Sequence, residues 1–158
     1  MFNGLRIDRF LDKVHVLLEA KKSEEALEIL EKAEKIDEND PYIAMFKGIA
    51  YFQLKEFDKA EEYLLKPSKE LKVDAIPEIF LGRIELERDN PEKAVTFFDS
   101  AIKKDKLHPD AHYYAGLSYI KMNKLDKATN HFETLIAEKR EFVWARILTL
   151  LEKMNLSK

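Results

Sequence analysis

A period of 34 residues constrains this chain more than any other feature. Three of its four glycines, Gly48, Gly82 and Gly116, stand at that spacing. So do the alanines Ala26, Ala60, Ala94 and Ala128. Four residues after each alanine comes a large apolar residue: Leu30, Leu64, Phe98 and Phe132. Just before the alanines the sequence reads Ser-Glu-Glu, Phe-Asp-Lys, Pro-Glu-Lys and Leu-Asp-Lys. Self-similarity at such a period marks a stack of like units, each burying its apolar face on its neighbour.

Each unit reads as two helices. Apolar residues recur at three- and four-residue steps, the spacing of one helix face. Asp40-Pro41, Asn90-Pro91 and His108-Pro109 mark recurring helix starts. Proline loses nothing at a first helical residue, where its missing N–H would be idle. Asp40 and Asn90 are suited to cap the N–H groups that follow. The first helix of a unit is expected over a stretch such as Pro41–Leu54, and the second over Asp58–Lys66. The glycine on the first helix and the alanine on the second let the pair approach closely. Pro67 takes the place that Ala33 holds in the first unit. A proline inside a helix loses a hydrogen bond at a cost of roughly 3 kcal/mol. The second helix of that unit is therefore expected to stop or kink near Lys66, leaving 68–74 as a turn or loop.

With glycine, tyrosine, alanine and an aromatic at these offsets, the chain resembles the tetratricopeptide repeat family. The match is fullest in the fourth unit, at Gly116, Tyr119, Ala128 and Phe132. The second carries it through Gly48, Tyr51, Ala60 and Leu64. The third keeps Gly82, Ala94, Phe98 and Ala101, but has Glu85 where the family has an aromatic. The first has Val14 in the glycine column and keeps Leu17, Ala26, Leu30 and Ala33. The units fall at about 7–40, 41–74, 75–108 and 109–142. The resemblance implies an all-α fold, a right-handed α-solenoid of four helix-turn-helix units in one domain over 1–158. A capping helix is expected over about 142–154, where the apolar stripe is wide.

In that family the first helices of successive units line a concave face. The corresponding residues are Tyr42, Met45, Ile49 and Phe52 in the second unit, with Ile79 and Arg83 in the third. Tyr113, Leu117 and Ile120 are their counterparts in the fourth. The set is mostly apolar, and an apolar concavity in water calls for a cover. The expected function is that of an adaptor holding a peptide or amphipathic helix of a partner protein. Tyr42, Met45, Ile79 and Tyr113 are the expected ligand contacts, Met45 an adaptable one and Tyr42 and Tyr113 anchoring ones. The alternative is self-association, a homodimer formed through Trp144, Leu148 and Leu151. Family members that clamp a chaperone tail resemble one another in a Lys, Asn and Arg set. Here those places hold Leu11, His15, Phe46, Ile76 and Phe80, so that role is not expected.

Composition narrows the function further. The net charge is −3 with both signs mixed, and no Lys/Arg block offers a face for nucleic acid. There is no cysteine, so thiolate zinc sites and cysteine nucleophiles are excluded. His108 and His112 have the four-residue spacing of a helical metal pair, but a proline follows the first and no glutamate does. No phosphate-cradling glycine loop or nucleophile elbow occurs. The chain is expected to catalyse nothing, to hold no metal or cofactor, and to bind neither nucleic acid nor membrane. No signal core is found near the N-terminus, and a cytoplasmic location is expected. Met1 at the start and the polar Asn155-Leu156-Ser157-Lys158 at the end are what a complete protein would show.

Overall fold

The sequence signals for helix starts are used unevenly. The computed structural model describes residues 2–137, with side chains from Arg6 onward. Among these are eight helices: α1 (Phe2–Glu19), α2 (Ser23–Glu34), α3 (Pro41–Gln53), α4 (Phe57–Glu70), α5 (Ile76–Glu87), α6 (Pro91–Lys104), α7 (Pro109–Lys121) and α8 (Leu125–Ala137). They pair as the four expected helix-turn-helix units. Asp40 caps α3 as expected: one carboxylate oxygen accepts from the Tyr42 N–H at 2.8 Å and the Ile43 N–H at 3.2 Å. Asn90 does not cap α6. Its side-chain amide donates instead to Glu85 at 3.1 Å, because a buried carboxylate one turn back competes for it.

The first helix of every unit ends in the same turn. Lys21, Lys55, Asp89 and Asn123 have φ of 57 to 62°, and they stand 34 residues apart. Around Lys55, the Lys55 N–H reaches the Phe52 carbonyl at 3.0 Å and the Glu56 N–H reaches that of Tyr51 at 2.9 Å. The same pair of bonds recurs at the other three turns. This is the Schellman closure, which satisfies carbonyls that a helix end leaves idle. Its left-handed residue is usually glycine; here it never is, so each turn carries the strain of a Cβ in that region.

Pro67 does not stop α4. The helix runs on to Glu70, and the Pro67 carbonyl accepts from the Leu71 N–H at 2.8 Å. The expected break near Lys66 is thus corrected by one turn. Pro67 is itself fully buried in the place of Ala33, so its ring supplies the packing that offsets the one backbone bond it removes. The loop is then Leu71–Ala75, shorter than expected.

The helices gather into two compact units, Met1–Lys72 and Val73–Lys158. In the first, α1 packs on α2 and α3, α2 on α3, and α3 on α4. In the second, α5 packs on α6 and α7, α6 on α7, and α7 on α8. The capping helix over about 142–154, with Trp144, Leu148 and Leu151, lies outside the described residues. No helix of the described residues is long and apolar enough to cross a membrane.

Candidate protein-binding face

The glycine column sets how closely each helix pair meets. A Cβ placed on Gly82 would stand 2.5 Å from the Phe98 ring, and one on Gly116 would stand 2.5 Å from the Phe132 ring. On Gly48 it would meet Leu64 at 2.5 Å. Ala26, Ala60, Ala94 and Ala128 are all fully buried. The apolar side chain sixteen residues after each glycine therefore lies flat against bare backbone. Phe98 and Phe132 are fully buried as a result, each contributing about 2–3 kcal/mol.

Offsets of eight and twelve residues organise the aromatic and charged side chains. Tyr51 stacks on Tyr63 at 5.4 Å, with the Lys59 ammonium 5.1 Å from the Tyr51 ring. Tyr119 stacks on His131 at 5.5 Å, with Lys127 5.5 Å from the Tyr119 ring. In the unit between, Glu85 replaces the tyrosine, and Lys93 pairs with it at 2.8 Å. Arg88 and Asn90 also donate to that carboxylate, each at 3.1 Å. Burial pushes the Glu85 carboxyl up, but these three donors outweigh it and hold it below the usual carboxylate range.

A second buried carboxylate on α5 behaves oppositely. Glu78 meets Lys104 at 2.6 Å, while its other oxygen is buried with no hydrogen-bond partner. Burial pushes its carboxyl above the usual range, and one ammonium does not reverse this. The Lys104 ammonium also donates to the Asp74 carbonyl at 3.2 Å.

His112 does not pair with His108. Its Nδ1 lies 3.0 Å from Nδ1 of His131 on α8, and its Nε2 lies 2.9 Å from the Lys106 carbonyl. The carbonyl can only accept, so Nε2 of His112 carries a proton and Nδ1 accepts from His131. Burial, then the facing His112, push the His131 imidazole below its usual value, and Asp99 opposes them. No group of three or more His, Cys, Asp or Glu suited to a metal ion occurs among the described residues.

The residues expected on a concave face differ in burial. Met45, Ile49 and Phe52 on α3 are buried, and Tyr42 is exposed. Ile79 is 1% exposed in a cluster with Ala75, Ala101 and Ala111. Tyr113 packs with Ala128, Phe132 and Leu135. Met45, Ile79 and Tyr113 thus spend their side chains inside the fold. Arg83, Leu117 and Ile120 are half-buried, and with Leu86 and Tyr114 they line a concavity of about 610 Å³ between α5 and α7. The Arg83 guanidinium is sandwiched, 4.7 Å from the Phe80 ring and 4.8 Å from that of Tyr114. Tyr114 in turn stacks on Phe98 at 6.0 Å. At the rim, Lys121 pairs with Asp89 at 2.8 Å. The arrangement offers an apolar floor with a cation held in a set orientation. Sequence reasoning missed Tyr114, because its place is set by Phe98 of α6 and Arg83 of α5, which spacing along α7 does not reveal.

Two family descriptions, both given as tetratricopeptide repeat, match residues 17–75 and 81–139. A tetratricopeptide repeat-containing protein of Methanocaldococcus jannaschii is 26% identical over 141 residues, which is 89% of this chain and 25% of that protein. BBSome complex member BBS4 of Bos taurus is 28% identical over 110 residues, 70% of this chain and 21% of that protein. The chain thus spans about a quarter or less of these relatives. A crystal structure of the MamA protein is similar at a TM-score of 0.70 and 25% identity, covering 90% of this chain and 78% of that one. MamA of Desulfovibrio magneticus, at 18% identity and a TM-score of 0.71 over 85% of this chain and 76% of that one, shares the fold.

Proposed function

This chain belongs to the tetratricopeptide repeat family, and from that premise we propose that it is an adaptor receiving a peptide or amphipathic helix in the α5–α7 concavity. The family builds protein-interaction scaffolds and is generally non-catalytic. The observation that carries the finer reading is the concavity of about 610 Å³ floored by Leu86, Leu117 and Ile120 beside the sandwiched Arg83. Aliphatic residues at that depth favour the apolar stripe of a helix, and the oriented cation favours a carboxylate next to that stripe. Ile79 and Tyr113 then serve as packing beneath these side chains, while Met45, Ile49 and Phe52 are buried on α3 and Tyr42 is exposed there.

The test is a pull-down from cell lysate with the native chain beside Leu117→Glu and Arg83→Glu variants. Circular dichroism establishes that both variants fold. A protein held by the native chain and released by both variants is the expected result. Recovery of the same proteins by all three baits overturns the reading.

A further inference from the structure

In α3 and α7 one stripe faces the second helix of the preceding repeat, α2 and α6, and the 34-residue period marks the same places on α1 and α5. In α7 the stripe includes Ala111, Ala115 and Ser118, all fully buried. Ala111 clusters with Ala101 of α6, and Ala115 clusters with Ala94 and Phe98 of α6. In α3 the same stripe is Ile43, Lys47 and Ala50, again buried, and Lys47 meets Glu34 of α2 at 2.6 Å. In α5 it is Pro77, Leu81 and Ile84, also buried.

In α1 the stripe is Arg9, Lys13 and Val16, and all three are exposed. Val16 is 62% exposed, in a column buried to 0% at Ala50, Ile84 and Ser118. Arg6 and the half-buried Phe10 border it, and Arg6, Arg9, Phe10 and Lys13 line a shallow concavity of about 290 Å³. Their spacing of three, four and seven residues puts them on one helix face. Among the described residues, Arg6, Arg9 and Lys13 have no ion-pair partner.

We propose that this face of α1 is a docking site for an acidic amphipathic helix of another protein. Charge and register both select that occupant. The element that covers the equivalent stripe of α3 is α2, with five glutamates to one lysine. One of those glutamates, Glu34, makes the part-buried contact to Lys47. A helix laid on α1 in the same register brings carboxylates to Arg9 and Lys13 and apolar residues to Phe10 and Val16. An isolated phosphate backbone would meet the cations but leave Val16 and Phe10 uncovered. The site is separate from the α5–α7 concavity and stands or falls independently of it.

The experiment uses the whole chain and a fluorescent, helix-stapled peptide of residues 23–36, the chain's own α2 segment, followed by anisotropy. Saturable binding is expected. It should weaken at least about tenfold in an Arg9→Glu/Lys13→Glu variant, and in a peptide with Glu28, Glu31 and Glu34 changed to Gln. It should also weaken with added salt. All substitutions in the chain are at exposed positions, and circular dichroism checks the fold. The proposal is overturned by no binding up to about 1 mM, the weak end of the scale. It is overturned equally if the charge-reversed variant binds as well as the native chain. A single-stranded RNA that binds in a charge-dependent way where the peptide does not also overturns it.

Discussion

The Lys93 ammonium lies 2.8 Å from the Glu85 carboxylate, in the column where Lys59 and Lys127 each lie over a tyrosine ring. One lysine position thus serves two kinds of partner, depending on the residue eight positions earlier. The exchange keeps the cation in place while burying a full negative charge, and it depends on Arg88 and Asn90 completing the donor set.

Glu85→Gln should cost about 2 kcal/mol, since charged hydrogen bonds are lost and two cations are left facing a neutral amide. The sign with pH follows from the depressed carboxyl. The folded state holds the charge more firmly than the unfolded chain, so this stabilisation is present above the unfolded carboxylate value of about 4.3 and is lost as pH falls below it. Thermal melting between pH 7 and pH 3 should show a smaller decline in the variant than in the native chain. Parallel curves would remove Glu85 from the account.

The Glu78–Lys104 pair should respond differently. Lys104→Met alone strands a buried carboxylate that already has one idle oxygen, and should cost about 3 kcal/mol or more. Adding Glu78→Met should restore most of the loss, because a buried pair replaced by packed apolar groups is often neutral. Urea denaturation of the single and double variants measures both. A double variant as unstable as the single one would contradict this.

The His112–His131 pair predicts an acid-sensitive fold. The unfolded chain takes up protons near pH 6.5, while the folded His131 resists them. Stability is therefore full above that value and declines as pH falls below it. The native chain should melt at a lower temperature at pH 5.5 than at 7.5. His131→Phe, which copies Phe97 of the preceding unit, should shrink the difference. An unchanged difference would place the titration elsewhere.

Gly82→Ala gains up to about 1 kcal/mol of helix propensity. It also drives a methyl group into the Phe98 ring, and overpacking of this kind costs about 1–3 kcal/mol. A net loss of stability in calorimetry is expected, because the rigid ring has no slack in a fully buried site.

The turn at Lys55 predicts a gain. Lys55→Gly removes a Cβ from a left-handed residue and should add about 0.5–1 kcal/mol, after the entropy glycine costs. A shift of about 2–4 °C in melting temperature corresponds to each kcal/mol in a chain of this size. Asn123→Gly should gain less, since asparagine tolerates that region better than lysine does.

The sequence by itself determined the four helix pairs, the close glycine contacts and the family. Gly82 and Phe98 are sixteen residues apart in one unit, and a contact that short-range repeats with the period and can be read from it. Four things needed the tertiary structure. Glu85 reads as a lapse in an aromatic column until the donors around it are seen. Lys21, Lys55, Asp89 and Asn123 stand in register but carry no glycine to announce their turn. Pro67 continues a helix because burial offsets the lost bond. The split of the concave residues into the buried Met45, Ile79 and Tyr113 and the accessible Arg83, Leu117 and Ile120 was decided by neighbouring helices. Periodicity places a side chain on a face of its own helix, whereas burial depends on what other helices leave uncovered, and that is a property of the packed fold alone.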